Sequence, residues 1–167
     1  MAATVQIAEF NTVGETKTAS ITNSNMGSTD AVNLDPVAYP VVPGEYTYEK
    51  WQKVEVTAMG GSSKIDNLKI WRTGALGGSA AHLTNARETS YGGAETFATP
   101  LVTVSTLADQ AMPTSEPTDA NLGIGGALAG ELTAAGLSDY LIHQIGTDAG
   151  DVAGSTSTMN YQYDETA

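Results

Sequence analysis

A glycine turn that runs into an alternating segment constrains the fold of this chain more than any other feature. Residues 60–72 read GGSSKIDNLKIWR. Successive side chains of a strand point to opposite faces of a sheet. Unbroken alternation therefore places Leu68 and Ile70 together on a core face. It places Ile65 and Trp71 on the opposite face, and nothing in the segment indicates catalysis.

Other runs of the chain also predict strands. Residues 138–146 and 156–164 both alternate and are joined by a glycine-punctuated turn, so we expect an antiparallel C-terminal hairpin. Residues 46–58 predict another strand, in which Trp51 breaks the pattern and indicates a bulge. A further run at 95–105 is interrupted by Pro100, which favours a bend or an edge position. With about eight short strands and Gly/Pro-rich turns, we predict an all-β fold, an antiparallel β-sandwich of jelly-roll type.

The segment from Asn23 to Gly44 contains too many turn residues for a central strand. It includes three proline pairs, Asp35-Pro36, Tyr39-Pro40 and Val42-Pro43. We interpret it as an extended N-terminal arm whose apolar residues pack on the body or on a neighbouring subunit. Residues 1–45 are therefore assigned to the N-terminal strands and the Pro-rich arm, and residues 46–167 to the sandwich body.

Size and charge limit the partners of the chain. Its 167 residues suit one well-buried domain. With 19 acidic and 7 basic residues the formal charge is −12, which repels nucleic-acid backbones and anionic membrane surfaces. There are no cysteines for disulfides or thiolate sites. The start resembles neither a secretory signal nor a membrane span, so we expect synthesis in the cytoplasm and no membrane partner.

Candidate chemical sites are few, and we assign no catalytic, metal or cofactor-binding residue. His82 falls in a small-residue loop and His143 in an apolar strand, so we expect one surface histidine and one hydrogen-bonded core histidine. Asp148 and Asp151, or Asp66 with Asn67, have the oxygen ligands that calcium prefers, but aspartate also favours turns for its own backbone hydrogen bonds.

Several motifs resemble virion structural proteins of tailed bacteriophages. They are KIDNLKIW at residues 64–71, SDYLIHQ at 138–144 and MNYQYDE at 159–165. The resemblance covers mainly residue 46 to the C-terminus, in the order of its elements. Within that class the chain is most similar to capsid decoration, or cement, proteins, which are small acidic β-sandwich proteins on the outside of the shell.

This resemblance implies a non-enzymatic protein on the outer capsid surface that stabilises contacts between capsomers. It implies the major capsid protein as partner and a homo-oligomer, a trimer, as the active form. We expect Val37, Tyr39, Val41, Val42 and Trp71 to form the interface. The alternative is a carbohydrate-binding jelly-roll module or a tail-fibre adhesin, because IDNLKI also resembles a strand of sugar-binding jelly rolls.

Overall fold

The computed structural model describes residues 1–92, 110–152 and 154–167, and these residues form ten strands and no helix. The strand predicted at 95–105 lies outside the described residues. The strands, in chain order, are β1 (Thr4–Asn11), β2 (Thr16–Thr18), β3 (Lys50–Ala58), β4 (Lys64–Thr73), β5 (Ala81–Glu88), β6 (Gln110–Ala111), β7 (Glu131–Leu132), β8 (Gly136–Leu137), β9 (Tyr140–Gly146) and β10 (Thr158–Thr166).

The strands form two antiparallel sheets that pack together, which confirms the predicted all-β sandwich. The larger sheet has the order β2-β1-β3-β9-β5-β6, with β8 also paired to β3, and the smaller one has the order β10-β4-β7. β1 pairs with β3 from Thr4 to Phe10, so strands on both sides of the segment boundary predicted after residue 45 belong to one sheet. Jelly-roll connectivity and the role of 23–44 as an arm stay predictions.

The predicted C-terminal hairpin is wrong, because β9 and β10 belong to different sheets. β9 is buried along almost its whole length and lies between β3 and β5, where both of its faces are covered. β10 is mostly half-buried or exposed, and it forms an edge of the smaller sheet beside β4. The difference in burial explains why the chain crosses from one sheet to the other between them.

The main core lies between the two sheets and corrects the predicted faces of β4. Ile65, Leu68 and Ile70 are all at most 1% exposed and belong to one core cluster. The pairing with β10 shifts by one residue between Gln162 and Asp164, and Asn67 has a φ of 51°. This extra residue in β4 is a bulge, and it turns Ile65 to the same face as Leu68.

A second cluster covers the opposite face of the larger sheet. Its buried members are Ala8, Phe10, Trp51, Tyr140 and Ile142. The ring centroid of Trp51 lies 5.3 Å from that of Tyr140, in an edge-to-face contact. The pairing of β1 with β3 is regular at Trp51, so the bulge predicted there is wrong. Trp51 departs from the pattern because both faces of the sheet are buried at this position.

Candidate functional site

One end of the sandwich interior is polar rather than apolar. The register places the inward side chains of β1, β3, β9 and β5 side by side, and at this end they are Glu9, Lys50, Gln52, His143, Thr84 and His82. All six are less than 9% exposed. They share the sheet face of the core residues Val54 and Leu141, and we call them the polar layer.

The carboxylate of Glu9 lies at the centre of the polar layer and is fully buried. Lys50 Nζ donates to its Oε1 at 2.9 Å, and Asn11 Nδ2 donates to the same oxygen at 3.2 Å. Gln52 Nε2 donates to Oε2 at 3.1 Å. A buried carboxylate is tolerated only where such partners compensate for its lost hydration, so these three donors explain how a charge fits inside the sandwich.

The loop that follows β2 closes the polar layer from outside. Gln52 Nε2 donates to Ser24 Oγ at 2.6 Å, and Lys50 Nζ donates to the carbonyl oxygen of Ala31 at 2.5 Å. From the smaller sheet, the hydroxyl of Tyr161 donates to Gln52 Oε1 at 2.9 Å. The polar layer therefore joins the loop and both sheets through specific hydrogen bonds.

The two histidines meet inside the polar layer, although they are far apart in sequence. His82 Nε2 lies 2.9 Å from His143 Nδ1, and His143 Nε2 lies 3.3 Å from Ser24 Oγ. The prediction that one histidine lies at the surface is wrong, because His82 is 7% exposed and His143 is 1% exposed. His82 belongs to β5, a strand that the sequence pattern does not predict.

Burial keeps both imidazoles neutral at neutral pH. It lowers the pKa of His82 to about 4, with a smaller contribution from the positive charge of Arg72. Burial also lowers the pKa of His143 well below its usual value, and the electrostatic effects of His82, when it is protonated, and of Lys50 act in the same direction. Two neutral rings share a single hydrogen bond, so one nitrogen donates and the other accepts.

Ser24, His143 and His82 form a chain that can be compared with a serine–histidine–carboxylate triad. In such a triad the third group is a carboxylate that orients the base and stabilises its charged form. Here the third group is a second neutral histidine, which has no negative charge with which to stabilise an imidazolium as a carboxylate does. The hydrogen bonds from Ser24 through His143 to His82 connect the loop after β2 to the larger sheet.

The residues predicted as an interface fall into two places. Val37, Tyr39 and Val42 lie on the 23–44 segment and are 86%, 48% and 56% exposed, while Val41 beside them is half-buried. Trp71 is half-buried on β4 of the smaller sheet, where it pairs with Asn160. The first four residues therefore lie on one short segment, which we call the valine loop, and Trp71 belongs to another element.

An open groove of about 510 Å³ lies between β1 and β10. Its lining includes Val5, Ile7, Leu68 and the two tyrosines Tyr161 and Tyr163. The residues described around it supply no histidine, lysine, arginine or carboxylate. Thr4, Gln6 and Gln162 also line it, so the groove offers apolar and uncharged polar contacts rather than acid–base chemistry.

The aspartate turns have structural partners. Asp151 accepts the backbone N–H of Ser79 at 2.7 Å and that of Asp148 at 2.8 Å, one on each carboxylate oxygen. Asp66 pairs with Lys64 Nζ at 2.7 Å. Within residues 1–92, 110–152 and 154–167, no three histidine, cysteine, aspartate or glutamate side chains cluster as a metal site would require. The same residues include no helix of the length and hydropathy needed to span a membrane.

A scan of the sequence against protein-family models finds no match, and neither the curated proteins nor the solved structures include a significantly similar chain.

Proposed function

We propose that this protein is a non-enzymatic virion structural protein that binds the outer surface of a phage capsid and stabilises contacts between capsomers. Its partner is the major capsid protein, and its active form is a homotrimer. The observation that carries the proposal is the valine loop, which presents Val37, Tyr39 and Val42 to solvent on one short segment. The motifs that resemble decoration proteins support the same conclusion.

Hydrogen bonds within the 23–44 segment and to Thr147 of the body hold the valine loop. The carbonyl of Tyr39 accepts the N–H of Ser28 at 3.1 Å, and the N–H of Val37 is held by Asp35 Oδ1 at 2.9 Å. Gly44 N donates to Thr147 Oγ1 at 3.0 Å. A surface held in this way loses little conformational entropy when a partner binds, which favours its use as an interface.

The charge of the chain supports a protein partner on the shell. A formal charge of −12 gives no affinity for packaged nucleic acid. It favours contact with basic patches on another protein and keeps coated particles apart. Many copies on one particle add their weak contacts through multivalency.

The experiment compares two double variants in binding to capsids that were assembled without this protein. The test variant is Val37→Asp with Val42→Asp, and the matched control is Val13→Asp with Val152→Asp, which changes two valines that are 99% and 74% exposed elsewhere. We expect the wild-type protein and the control to co-sediment with capsids at a saturating, symmetric stoichiometry. The test variant should remain in the supernatant while keeping its circular dichroism spectrum.

Two outcomes contradict the proposal at different levels. Equal binding by the test variant removes the valine loop from the interface but leaves the capsid role in place. A wild-type protein that is monomeric by mass photometry and ignores capsids removes the capsid role. In that case a glycan array with the Trp71→Ala variant tests the carbohydrate-binding alternative.

A further inference from the structure

A lysine, an asparagine and a glutamate meet where the end of β1 lies beside the start of β3. These are the two strands of the larger sheet that pair over the greatest length. In the β1–β3 register Phe10 lies opposite Trp51, so Asn11 and Lys50 occupy the next positions on neighbouring strands. Asn11 is 5% exposed, and Lys50 is 1% exposed. An amine and a carboxamide are thus held together away from bulk water.

One oxygen of Glu9 contacts both of these groups. Its Oε1 accepts Lys50 Nζ at 2.9 Å and Asn11 Nδ2 at 3.2 Å. Nδ2 also donates to Asp30 Oδ1 at 2.7 Å. Both acceptors are carboxylates, which identifies this atom of Asn11 as the amide nitrogen.

The amide oxygen of Asn11 has a different environment. Oδ1 is buried and has no hydrogen-bond partner among the residues that the structure describes. A buried acceptor without a donor costs free energy. The surroundings of Asn11 therefore satisfy its amide nitrogen but not its amide oxygen.

We propose that Lys50 and Asn11 form an intramolecular isopeptide bond, with Glu9 as the proton-transfer group. The Lys50 ammonium gives a proton to Glu9 Oε1, to which it already donates a hydrogen bond. The amine Nζ then attacks Cγ of Asn11, while protonated Glu9, whose Oε1 lies beside Nδ2, acts as the acid for the departing nitrogen.

The step is balanced by loss of ammonia. A bond forms between Nζ and Cγ, and the bond between Cγ and Nδ2 breaks. Glu9 carries a proton from Nζ to the departing nitrogen, which leaves as ammonia. The one remaining proton stays on the Glu9 carboxyl, so the product buries no unpaired charge. Proximity favours the step, because Nζ and Nδ2 both lie within hydrogen-bond distance of the same oxygen of Glu9.

The product would be a covalent bond between β1 and β3 in a chain without cysteine. Such a bond does not depend on the redox state of its surroundings, unlike a disulfide. The inference rests on the polar layer alone and does not depend on the proposed capsid role.

The test is the intact mass of the full-length protein under denaturing conditions, followed by tryptic mapping. We expect the wild-type mass to be lower than the sequence mass by one ammonia, with any removal of Met1 taken into account. Trypsin should then release peptides 1–17 and 18–53 joined as one branched species, uncut at Lys50. The variants Lys50→Arg and Glu9→Gln should show their full sequence masses.

Two results would overturn the proposal. One is a wild-type protein at its full sequence mass. The other is a loss of ammonia without the branched peptide, which would mean that an asparagine has formed a succinimide instead. Because the wild-type protein gives the decisive reading, the result does not depend on whether either variant folds.

Discussion

His82 and His143 approach through their ring nitrogens inside the sandwich, with Nε2 of the first 2.9 Å from Nδ1 of the second. Their rings are 5.1 Å apart between centroids and are tilted by 39°. Only one proton fits between the two nitrogens, so the contact requires at least one neutral ring. Burial lowers the pKa of both rings, and this makes the stability of the fold depend on pH.

We expect the protein to lose stability as the pH falls from 7 to 5. The pKa of His82 is lowered to about 4 in the folded state, so the unfolded state, in which the pKa is near 6.5, binds more protons in this range. The free energy of unfolding should fall by about 2 kcal/mol from this residue alone. Urea denaturation at several pH values measures the slope.

The variant His82→Gln provides the control for this slope. It removes one titrating ring, so the dependence of unfolding free energy on pH should become flatter whatever its effect on stability at pH 7. An unchanged slope would show that the histidine pair does not couple folding to protonation.

The buried and exposed ion pairs should differ sharply in their contribution to stability. Glu9→Ala leaves the Lys50 ammonium buried without its carboxylate and also removes the group that the proposed bond to Asn11 requires, so we expect a loss of at least about 3–5 kcal/mol. Lys17→Ala removes a pair with Glu55 whose lysine side chain is 37% exposed, and we expect less than about 1 kcal/mol. Chemical denaturation of both variants checks the contrast, which similar losses would contradict.

The core between the sheets should respond strongly to truncation. Ile70 is fully buried, and Ile70→Ala should cost about 2–5 kcal/mol because it removes apolar contacts and leaves a cavity. The control is Val152→Ala, at a position 74% exposed, where we expect a change within about 0.5 kcal/mol. A small effect at Ile70 would mean that the two sheets do not pack as described.

The fold class could be predicted because it depends on local signals. Alternation in residues 64–72 and glycine turns indicate strands without knowledge of their partners, and Leu68 and Ile70 are indeed in the core. The order of strands could not be predicted in this way. β9 and β10 follow each other in the chain, but they pair with strands of separate sheets.

The polar layer could not be predicted, because its residues look like surface residues in the sequence. Glu9, Gln52 and Lys50 occupy inward positions, and only the register of β1 with β3 and β9 brings them together. His82 lies on a strand whose inward positions are largely polar, so alternation of apolar residues does not reveal it. One signal in the sequence could have revealed part of it. Gln52 lies two and four residues before Val54 and Val56, so its side chain points to the same face of β3 as these core valines.

The bulge in β4 gives the last prediction, because it depends on one backbone conformation. Asn67 has a φ of 51°, a region that glycine and asparagine adopt far more readily than β-branched residues, and its Nδ2 donates to Asp164 Oδ2 at 2.8 Å. We expect Asn67→Val to destabilise the fold by about 1–3 kcal/mol through backbone strain. Asn67→Gly loses only the exposed side-chain hydrogen bond, and it should be closer to the wild type by thermal and urea denaturation. If glycine were as harmful as valine, the hydrogen bond to Asp164, and not the left-handed conformation, would be what keeps Ile65 on the same face as Leu68.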